Sequence, residues 1–569
     1  MYILGISCYY HDSAACLIKD GKVIAAGAEE RFTRKKHDNS FPINAITYCL
    51  DFAGIAMNEV DEVVFYEKPI LKYDRVLNQY LDTFPKCYST CKNTISQWFD
   101  HKLQISRKLK EELFYLKPVL YVGHHLSHAA SAYYLSGFKK SVIVTLDGVG
   151  EWATTTIGTG IEGSITIDKE IQFPHSLGLL YSALTTYLGF SANDAEYKVM
   201  GLAAYGDAKP FLKHFDQLIT QFDDGSYQLN MDYFTFDWSN LSMYSSKLID
   251  LLGHPARVPE STVYSYHKNI AASLQQKLEE VVLKMVSAAY DTYKIPNLCL
   301  AGGVALNSVL NGKILGKTKF KNLYIPPDPS DAGGAMGAAM YVYYQKAKKH
   351  IDHKSFNPYL GPSYSWFKIK KVLDDQLINY TFYESRDDLT TFVAKQIQKQ
   401  KIIGWFQGRM EWGPRALGNR SILASAATTK MRDIINEKVK HREMFRPFAP
   451  VILEEHTDDY FIADKNLPIS ARYMLMVYPF KPKGENDVPA VVHVDGSGRL
   501  QTLVRADNPL YYELIEKYYL LTGVPIIINT SFNVRGEPIV CSPEDAVNCF
   551  LKTDIDYLVI DQYLCRKSY

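Results

Sequence analysis

The chain has 569 residues, 47% of them hydrophobic and 22% charged, so it is long enough for two or more domains with their own cores and is not a disordered polymer. Sixty-three Lys and Arg against 62 Asp and Glu leave a net charge of +1, which gives no bulk electrostatic case for a nucleic-acid or membrane partner. Nine cysteines without a paired framework, no basic leader ahead of "MYILGIS" and no apolar run of membrane-spanning length point to a soluble chain in a reducing cytoplasm.

The first apolar runs, "YILGIS" and "AACLIKDGKVIAAGAEERF", read as strands, and Asp20-Gly21 suits a tight hairpin turn within the second. Residues 40–118 read as mostly amphipathic helix, as in "FPINAITYCLDFAGI" and "TISQWFDHKLQISRKLKEELFYL". "KKSVIVTLDGVGEWATTTIGTG" then repeats strand, Asp/Gly loop and strand. Two such openings suggest a duplicated fold, which is the layout of the actin-like ATPase superfamily. A polar stretch at 207–260 precedes a long helix through "HKNIAASLQQKLEEVVLKMVSAAYDTY". "NLCLAGGVALNSVLNGKIL" and "NLYIPPDPSDAGGAMGAAMYVYYQKAKK" each read as strand, loop and helix. Residues 348–366, charged and then rich in Pro, Gly and Ser, mark a boundary. Beyond it "KIIGWFQG", "PLYYELIEKYYLLTG", "VPIIINTSF", "SPEDAVNCFLKT" and "DYLVIDQYLC" make a second α/β domain.

"YVGHHLSHAASAYY" puts three histidines within five positions in a chain with 15. On a helix His124 and His128 share one face while His125 points away. The pair offers two metal ligands, and Asp147 in "TLDGVGE" and Asp331 in "PPDPSDAGG", each after an apolar strand, are candidate carboxylates. Two imidazoles with two carboxylates suit iron(II), manganese or zinc. The alternative is that His124 caps a helix beginning near Leu126 and His128 is a satisfied polar core residue.

Gly302 and Gly303 in "LAGGVALNS", with Asn307, and Gly333 and Gly334 in "SDAGGAMGAA" either open backbone to a nucleotide or allow close helix–strand packing. In the second domain Arg409, Arg415, Arg420, Lys440, Arg442, Arg446 and Arg499 lie among glycines and aromatics. Asn529, Thr530, Ser531 and Asn533 follow an apolar strand there. Singly each arginine reads as solvated or salt-bridged; together they point to an anionic substrate held by forked guanidinium groups. His11 and Asp12 in "YYHDSAACL" offer either a base toward a hydroxyl or a turn-forming pair.

Ten motifs in order from residue 11 to 540, among them "AAGAEERFTRKKHD", "GHHLSHAASAYY", "EYKVMGLAAYG", "EWGPRALGNRSIL", "REMFRPFAPVIL", "HVDGSGRLQT" and "NTSFNVRGEPIV", resemble the NodU/CmcH-type carbamoyltransferases. The resemblance implies an N-terminal duplicated actin-like (ASKHA, RNase H-like) domain at 1–350 and a C-terminal YrdC-like α/β domain at 361–569. It implies that the second domain forms carbamoyl adenylate from carbamoyl phosphate and ATP, with magnesium accompanying ATP. The first domain then passes the carbamoyl group to the hydroxyl of a small-molecule acceptor, a natural product or sugar. On this sequence His124, His128, Asp147 and Asp331 match the metal ligands, with iron expected, and His11 matches a histidine that assists transfer. Arg415, Arg420, Lys440, Arg446, Arg499 and Ser531 fall in the motifs that hold carbamoyl phosphate and nucleotide, and family members suggest a homodimer. The rival readings are an actin-like ATPase or sugar kinase, a tRNA threonylcarbamoylation enzyme, for which no basic tRNA surface is evident, and a nucleotide-binding regulator without turnover.

Overall fold

A computed structural model describes residues 1–92, 102–347, 356–443 and 445–567. The chain forms two compact units: Met1–Glu29 with His37–Phe356, and Glu30–Lys36 with Asn357–Tyr569. The first part of the expected boundary segment, 348–355, lies outside the described residues, as does part of the helix expected over 94–116, whose described end is Ile105–Leu113.

The first unit holds two five-stranded sheets. One comprises β1 (Tyr2–Ser7), β2 (Ala14–Lys19), β3 (Lys22–Ala28), β4 (Glu62–Phe65) and β5 (Val119–Tyr121) in the order β3-β2-β1-β4-β5. The other comprises β6 (Lys140–Leu146), β7 (Ala153–Ile161), β8 (Ser164–Gln172), β11 (Asn297–Ala301) and β12 (Asn322–Tyr324) in the order β12-β11-β6-β7-β8; a separate hairpin joins β9 (Ile219–Gln221) to β10 (Tyr227–Leu229). In each sheet the first three strands are antiparallel and the last two run parallel to the first. In each sheet the second antiparallel hairpin, β2–β3 or β7–β8, closes on a two-residue turn with both residues left-handed, Asp20-Gly21 and Glu162-Gly163. One order, one set of directions and one turn type, used twice, constitute the duplicated actin-like architecture. The expectation of helix over 40–118 is corrected at β4 and β5, which interrupt it. Their apolar runs are too short for periodicity to separate from helix.

Two helices lie between the sheets. Helix His124–Ser136 packs on β6 and β11, helix Asp331–Ala347 packs on β1, β2 and β4, and the two pack on each other. Small residues permit that closeness. A Cβ on Gly337 would sit 1.9 Å from the Ser127 carbonyl oxygen, and one on Gly5 would sit 1.9 Å from that of Ala335. Gly337→Ala therefore forces the two helices apart. Its expected effect is a loss of roughly 3 kcal/mol or more of stability, read from denaturant unfolding of the whole chain.

The second unit is built on one mixed sheet: β13 (Asn379–Phe382), β14 (Ile403–Phe406), β15 (Arg420–Ser425), β16 (Ala449–Leu453), β17 (Met476–Pro479), β18 (Ser497–Leu503), β19 (Ile526–Ser531), β20 (Tyr557–Ile560) and β21 (Tyr563–Arg566). The order is β13-β21-β20-β14-β15-β19-β16-β18-β17. Helices Arg386–Gln398 and Pro509–Thr522 cover it over a core that includes Leu389, Val393, Trp405, Tyr511 and Ile527. Asn508 caps the second helix by accepting from the Tyr511 amide, and Gly523 ends it in a left-handed conformation, the start and stop that "NPLYYELIEKYYLLTG" encodes. The segment Glu30–Lys36 packs within this unit through Arg34, which donates to the Pro538 and Ile539 carbonyls at 2.8 and 2.7 Å and pairs with Asp545 at 3.3 Å. Among the described residues no helix is long and apolar enough to cross a membrane.

Candidate active site

In the first unit His124, His128, Asp147 and Asp331 come together from three elements. The histidines stand on successive turns at the start of helix His124–Ser136, which begins at His124 and not near Leu126 as in the capping alternative. Asp331 opens helix Asp331–Ala347, and Asp147 follows β6. Two helix N-termini thus face the carboxylates, an arrangement their dipoles favour. One ligand atom from each of the four residues lies within 4.8 Å of every other, and all four residues are buried.

The contacts leave a matched set of donors. His124 Nε2 is 2.9 Å from Asp147 Oδ2, 3.1 Å from His128 Nε2 and 3.7 Å from Asp331 Oδ1. His128 Nε2 is 3.5 Å from Asp331 Oδ1 and 3.8 Å from Asp147 Oδ2. Metal bonds of about 2.1 Å separate neighbouring donors by about 3.0–3.4 Å, so the four fit a single divalent ion. The second oxygen of each carboxylate is already held: the Gly303 amide donates to Asp147 Oδ1 at 2.8 Å, and the Tyr66 hydroxyl donates to Asp331 Oδ2 at 3.2 Å. Each aspartate therefore keeps one oxygen for the cluster. Glu67, buried, has an oxygen 4.0 Å from His124 Nδ1. His125 turns away, its ring nitrogens 2.6 Å from Thr145 Oγ1 and 2.8 Å from the Ala153 carbonyl.

The electrostatics belong to a site that wants a cation. Burial works against charge on His128, but hydrogen bonds and the charges of Asp147 and Asp331 overcome it and raise its pKa to about 10. Burial likewise opposes ionisation of both aspartates, and the imidazoles nonetheless hold them below the ordinary carboxylate range. His125, buried and beside His124, is pushed down to about 3, which keeps it neutral.

His11 stands in the loop between β1 and β2 and feels the charges of Asp331 and Asp147. Its Nδ1 is 2.9 Å from Asp12 Oδ2. The other Asp12 oxygen is 2.7 Å from His37 Nδ1, and His37 Nε2 is 2.9 Å from Asp194 Oδ1. Asp12 takes a left-handed backbone conformation, φ 52°, to face both rings. This His–Asp–His–Asp chain fixes the His11 ring and leaves Nε2 as its free nitrogen. The sequence reading placed His11 and Asp12 together but missed His37 and Asp194, for which no local signal exists.

The glycine loops pack closely on their neighbours. A Cβ on Gly302, at φ 91°, would meet the Leu146 carbonyl oxygen at 2.2 Å; on Gly333, that of Asp328 at 2.0 Å; on Gly334, the Tyr66 ring at 2.7 Å. The Gly303 amide serves Asp147, and the Asn307 side chain caps the Leu310 amide and exchanges hydrogen bonds with Gln275. These groups hold Asp147 and seat the two inner helices.

In the second unit the expected residues collect at one end of the sheet. Arg420 begins β15, Ser531 ends β19, Arg446 precedes β16, and Arg499 lies near the start of β18. Register sets Ser421 opposite Ser531, Leu423 opposite Asn529 and Asn529 opposite Ala449. Lys440, buried, donates to the Ser531 carbonyl, to Asn533 Oδ1 at 2.8 Å and to the Asn533 carbonyl at 3.1 Å. Burial, reinforced by Arg442 and Arg446, drives its pKa well below the ordinary lysine value. Arg446 pairs with Glu443 at 3.5 Å, Thr530 pairs with Ile422 in the ladder, and Asn529 Nδ2 donates to Gln501 Oε1 at 2.6 Å.

Arg420 is tied to the backbone around it. Fully buried over the Phe406 ring, it donates to the carbonyls of Gln407, Gly408, Asn419 and Pro362. Its Nη1 and Nη2 thereby order the loop that carries Arg415. Glu411, unforeseen, does the complementary work: its Oε1 accepts from the Leu417, Asn419 and Arg420 amides at 2.8, 2.7 and 3.0 Å.

Residues 2–340 match the family described as carbamoyltransferase N-terminus, and residues 394–567 the one described as carbamoyltransferase C-terminus. The chain is 45% identical over 600 aligned positions to the uncharacterized protein sll1178 of Synechocystis sp., covering 100% of this chain and 97% of that protein. It is 38% identical over 574 positions to nodulation protein NolNO of Sinorhizobium fredii, covering 98% and 79%, and 36% identical over 451 positions to nodulation protein NolO of Bradyrhizobium diazoefficiens, covering 78% and 79%. Among solved structures, component A of the (R)-2-hydroxyglutaryl-CoA dehydratase of Acidaminococcus fermentans aligns with 61% of this chain and 100% of its own at a TM-score of 0.34 and 14% identity, too distant to add to the topology.

Proposed function

The chain belongs to the carbamoyltransferase family, and from that premise we propose that it is an ATP-dependent O-carbamoyltransferase acting on the hydroxyl of a small-molecule acceptor. The observation that carries the reading is the four-donor cluster of His124, His128, Asp147 and Asp331 in the same unit as a histidine base ordered by Asp12. Bound there, a divalent metal, iron(II) on the family resemblance, supplies a positive charge that polarises the carbamoyl carbonyl or anchors the adenylate phosphate.

Activation belongs to the second unit. A mixed anhydride at the α-phosphorus of ATP needs a carbamate oxygen as nucleophile, so carbamoyl phosphate first loses its phosphate to water. Carbamate then attacks ATP, pyrophosphate leaves and carbamoyl adenylate forms. Arg415, Arg446 and Arg499 supply the cationic side chains for these anions, Lys440 holds Ser531 and Asn533 in place beside them, and Ser531 and Thr530 supply hydroxyls, with magnesium accompanying ATP. Arg420 and Glu411 hold the loop beneath them. In the first unit His11 Nε2 takes the proton of the acceptor hydroxyl as its oxygen attacks the carbamoyl carbon, and AMP departs. Asp12, accepting from Nδ1–H, keeps the tautomer that leaves Nε2 basic and stabilises the imidazolium that forms.

The purified protein with ATP and carbamoyl phosphate is expected to release AMP and pyrophosphate, followed by phosphorus NMR or chromatography. Release of ADP alone would instead identify a kinase or simple ATPase and overturn the adenylate route.

A further inference from the structure

His124 turns Nε2 to the carboxylates of the cluster, which leaves its far nitrogen unsettled. Nδ1 is buried and has no hydrogen-bond partner among the described residues, and neither has the buried Oε1 of Glu67. The two side chains are fully enclosed, with Glu67 Oε2 4.0 Å from Nδ1. That is an ion-pair separation and not a hydrogen bond. A carboxylate oxygen and a ring nitrogen left open side by side in the interior are costly unless some state of the protein joins them.

Both walls of this gap are fixed. Glu151 accepts the His124 amide through both oxygens, at 3.0 and 3.1 Å, which sets where the ring begins. The Tyr66 carbonyl accepts from Ser127 Oγ at 2.8 Å, which ties the end of β4 to the helix that carries His124. Tyr66 and Glu67 are consecutive, and each addresses a different member of the cluster: Tyr66 donates to Asp331, and Glu67 lies beside His124. Lys72, from helix Pro69–Thr83, donates to Glu67 Oε2 at 2.5 Å. An ammonium on one oxygen keeps the carboxylate charged and leaves Oε1 open.

The joined state follows from the chemistry of imidazole. Asp147 Oδ2, an acceptor, stands 2.9 Å from His124 Nε2 and draws the ring proton there. Nδ1 then presents a lone pair to Glu67, and the two keep apart. Coordination through Nε2 moves the ring proton to Nδ1, which now faces the carboxylate as a donor. A closure of about 1 Å completes the hydrogen bond.

We propose that Glu67 is a positioning residue of the metal centre: with a divalent ion on Nε2 of His124 it accepts the hydrogen bond of Nδ1–H, and Lys72 holds it in place to do so. The inference rests on the reading of the four donors as a metal site. A charged acceptor on Nδ1 fixes the ring and makes Nε2 a stronger donor to the ion.

Crystals of the whole enzyme loaded with cobalt(II) are expected to show a Glu67 oxygen within about 3.2 Å of His124 Nδ1. A separation that stays at 4.0 Å overturns the proposal. In competition with a chromophoric chelator, Glu67→Gln is expected to bind cobalt(II) about tenfold more weakly than the parent. The ligand-field absorption of the bound ion should shift as well, because a neutral amide leaves His124 a weaker donor. Equal affinity or an unmoved absorption overturns the proposal. Glu67→Gln also strands the Lys72 ammonium, so the comparison is repeated in a Lys72→Met background. A similar loss there supports the contact with His124; a loss that disappears with Lys72 reduces Glu67 to a partner for that lysine and overturns it. Parent protein that takes up no cobalt(II) would overturn the four-donor reading and this role with it. That outcome is distinct from a parent and a variant that bind the ion equally well.

Discussion

Asp331→Ala protein is expected to purify with at least about 100-fold weaker affinity for a divalent metal than the parent, measured by metal analysis and competition with a chromophoric chelator. The size follows from what the side chain supplies. Asp331 Oδ1 lies 3.7 and 3.5 Å from the two histidine Nε2 atoms, so its loss removes one of four donors and half of the anionic charge. It also strands the Tyr66 hydroxyl in a buried site. Tyr66→Phe should cost less, about tenfold, because it frees the carboxylate without removing it. Metal uptake should also release a proton near neutral pH. With its pKa raised to about 10 in the metal-free site, His128 carries a proton there that coordination must displace, so affinity falls as pH drops. Calorimetry in buffers of different ionisation enthalpy measures that proton. Unchanged metal content in Asp331→Ala would remove Asp331 from the ligand set.

The first-loop hairpin, the repeated strand–loop–strand and the capped helices of the second unit were legible because turn residues and caps act over a few positions: Asp20-Gly21 and Asn508 need no distant partner. The convergence of His124, His128, Asp147 and Asp331 was legible for another reason. Helical phase put His124 and His128 on one face, and strand ends put Asp147 and Asp331 in loops, where cleft residues gather. Their partners were not. Tyr66 and Glu67 follow β4, whose four residues hide inside a stretch that reads as helix, so the outer hydrogen bond to Asp331 had no visible origin. His37 and Asp194 meet across a separation of 157 residues, which no local pattern reports. For Arg420, residue type and neighbours suit an anion ligand, and they carry no sign of its backbone contacts. Its full burial and its bonds to four carbonyls show a forked cation satisfying backbone, a role that only the folded chain reveals.

The largest effect on transfer is expected at His11. His11→Ala should lower carbamoyl transfer by about 10²- to 10⁴-fold while AMP and pyrophosphate formation in the second unit persists. The pH dependence separates a base from a mere contact. Burial favours neutral His11, but the hydrogen bond and charge of Asp12 outweigh it and raise the pKa to about 9. A general base works in its neutral form, so kcat/KM for transfer should climb with pH through the range above neutrality and level off near that value. A divalent metal offsets the contributions of Asp147 and Asp331 and leaves that of Asp12, which keeps the limb above the ordinary histidine range. Asp12→Asn removes that carboxylate, so the limb should move to lower pH. The plateau should fall at the same time, because an amide can offer N–H to Nδ1 and reverse the tautomer. A lower plateau at an unmoved limb would mean that Asp12 only positions the ring. Transfer undiminished in His11→Ala would take the base elsewhere and leave the His11–Asp12–His37–Asp194 chain as a brace for the first loop.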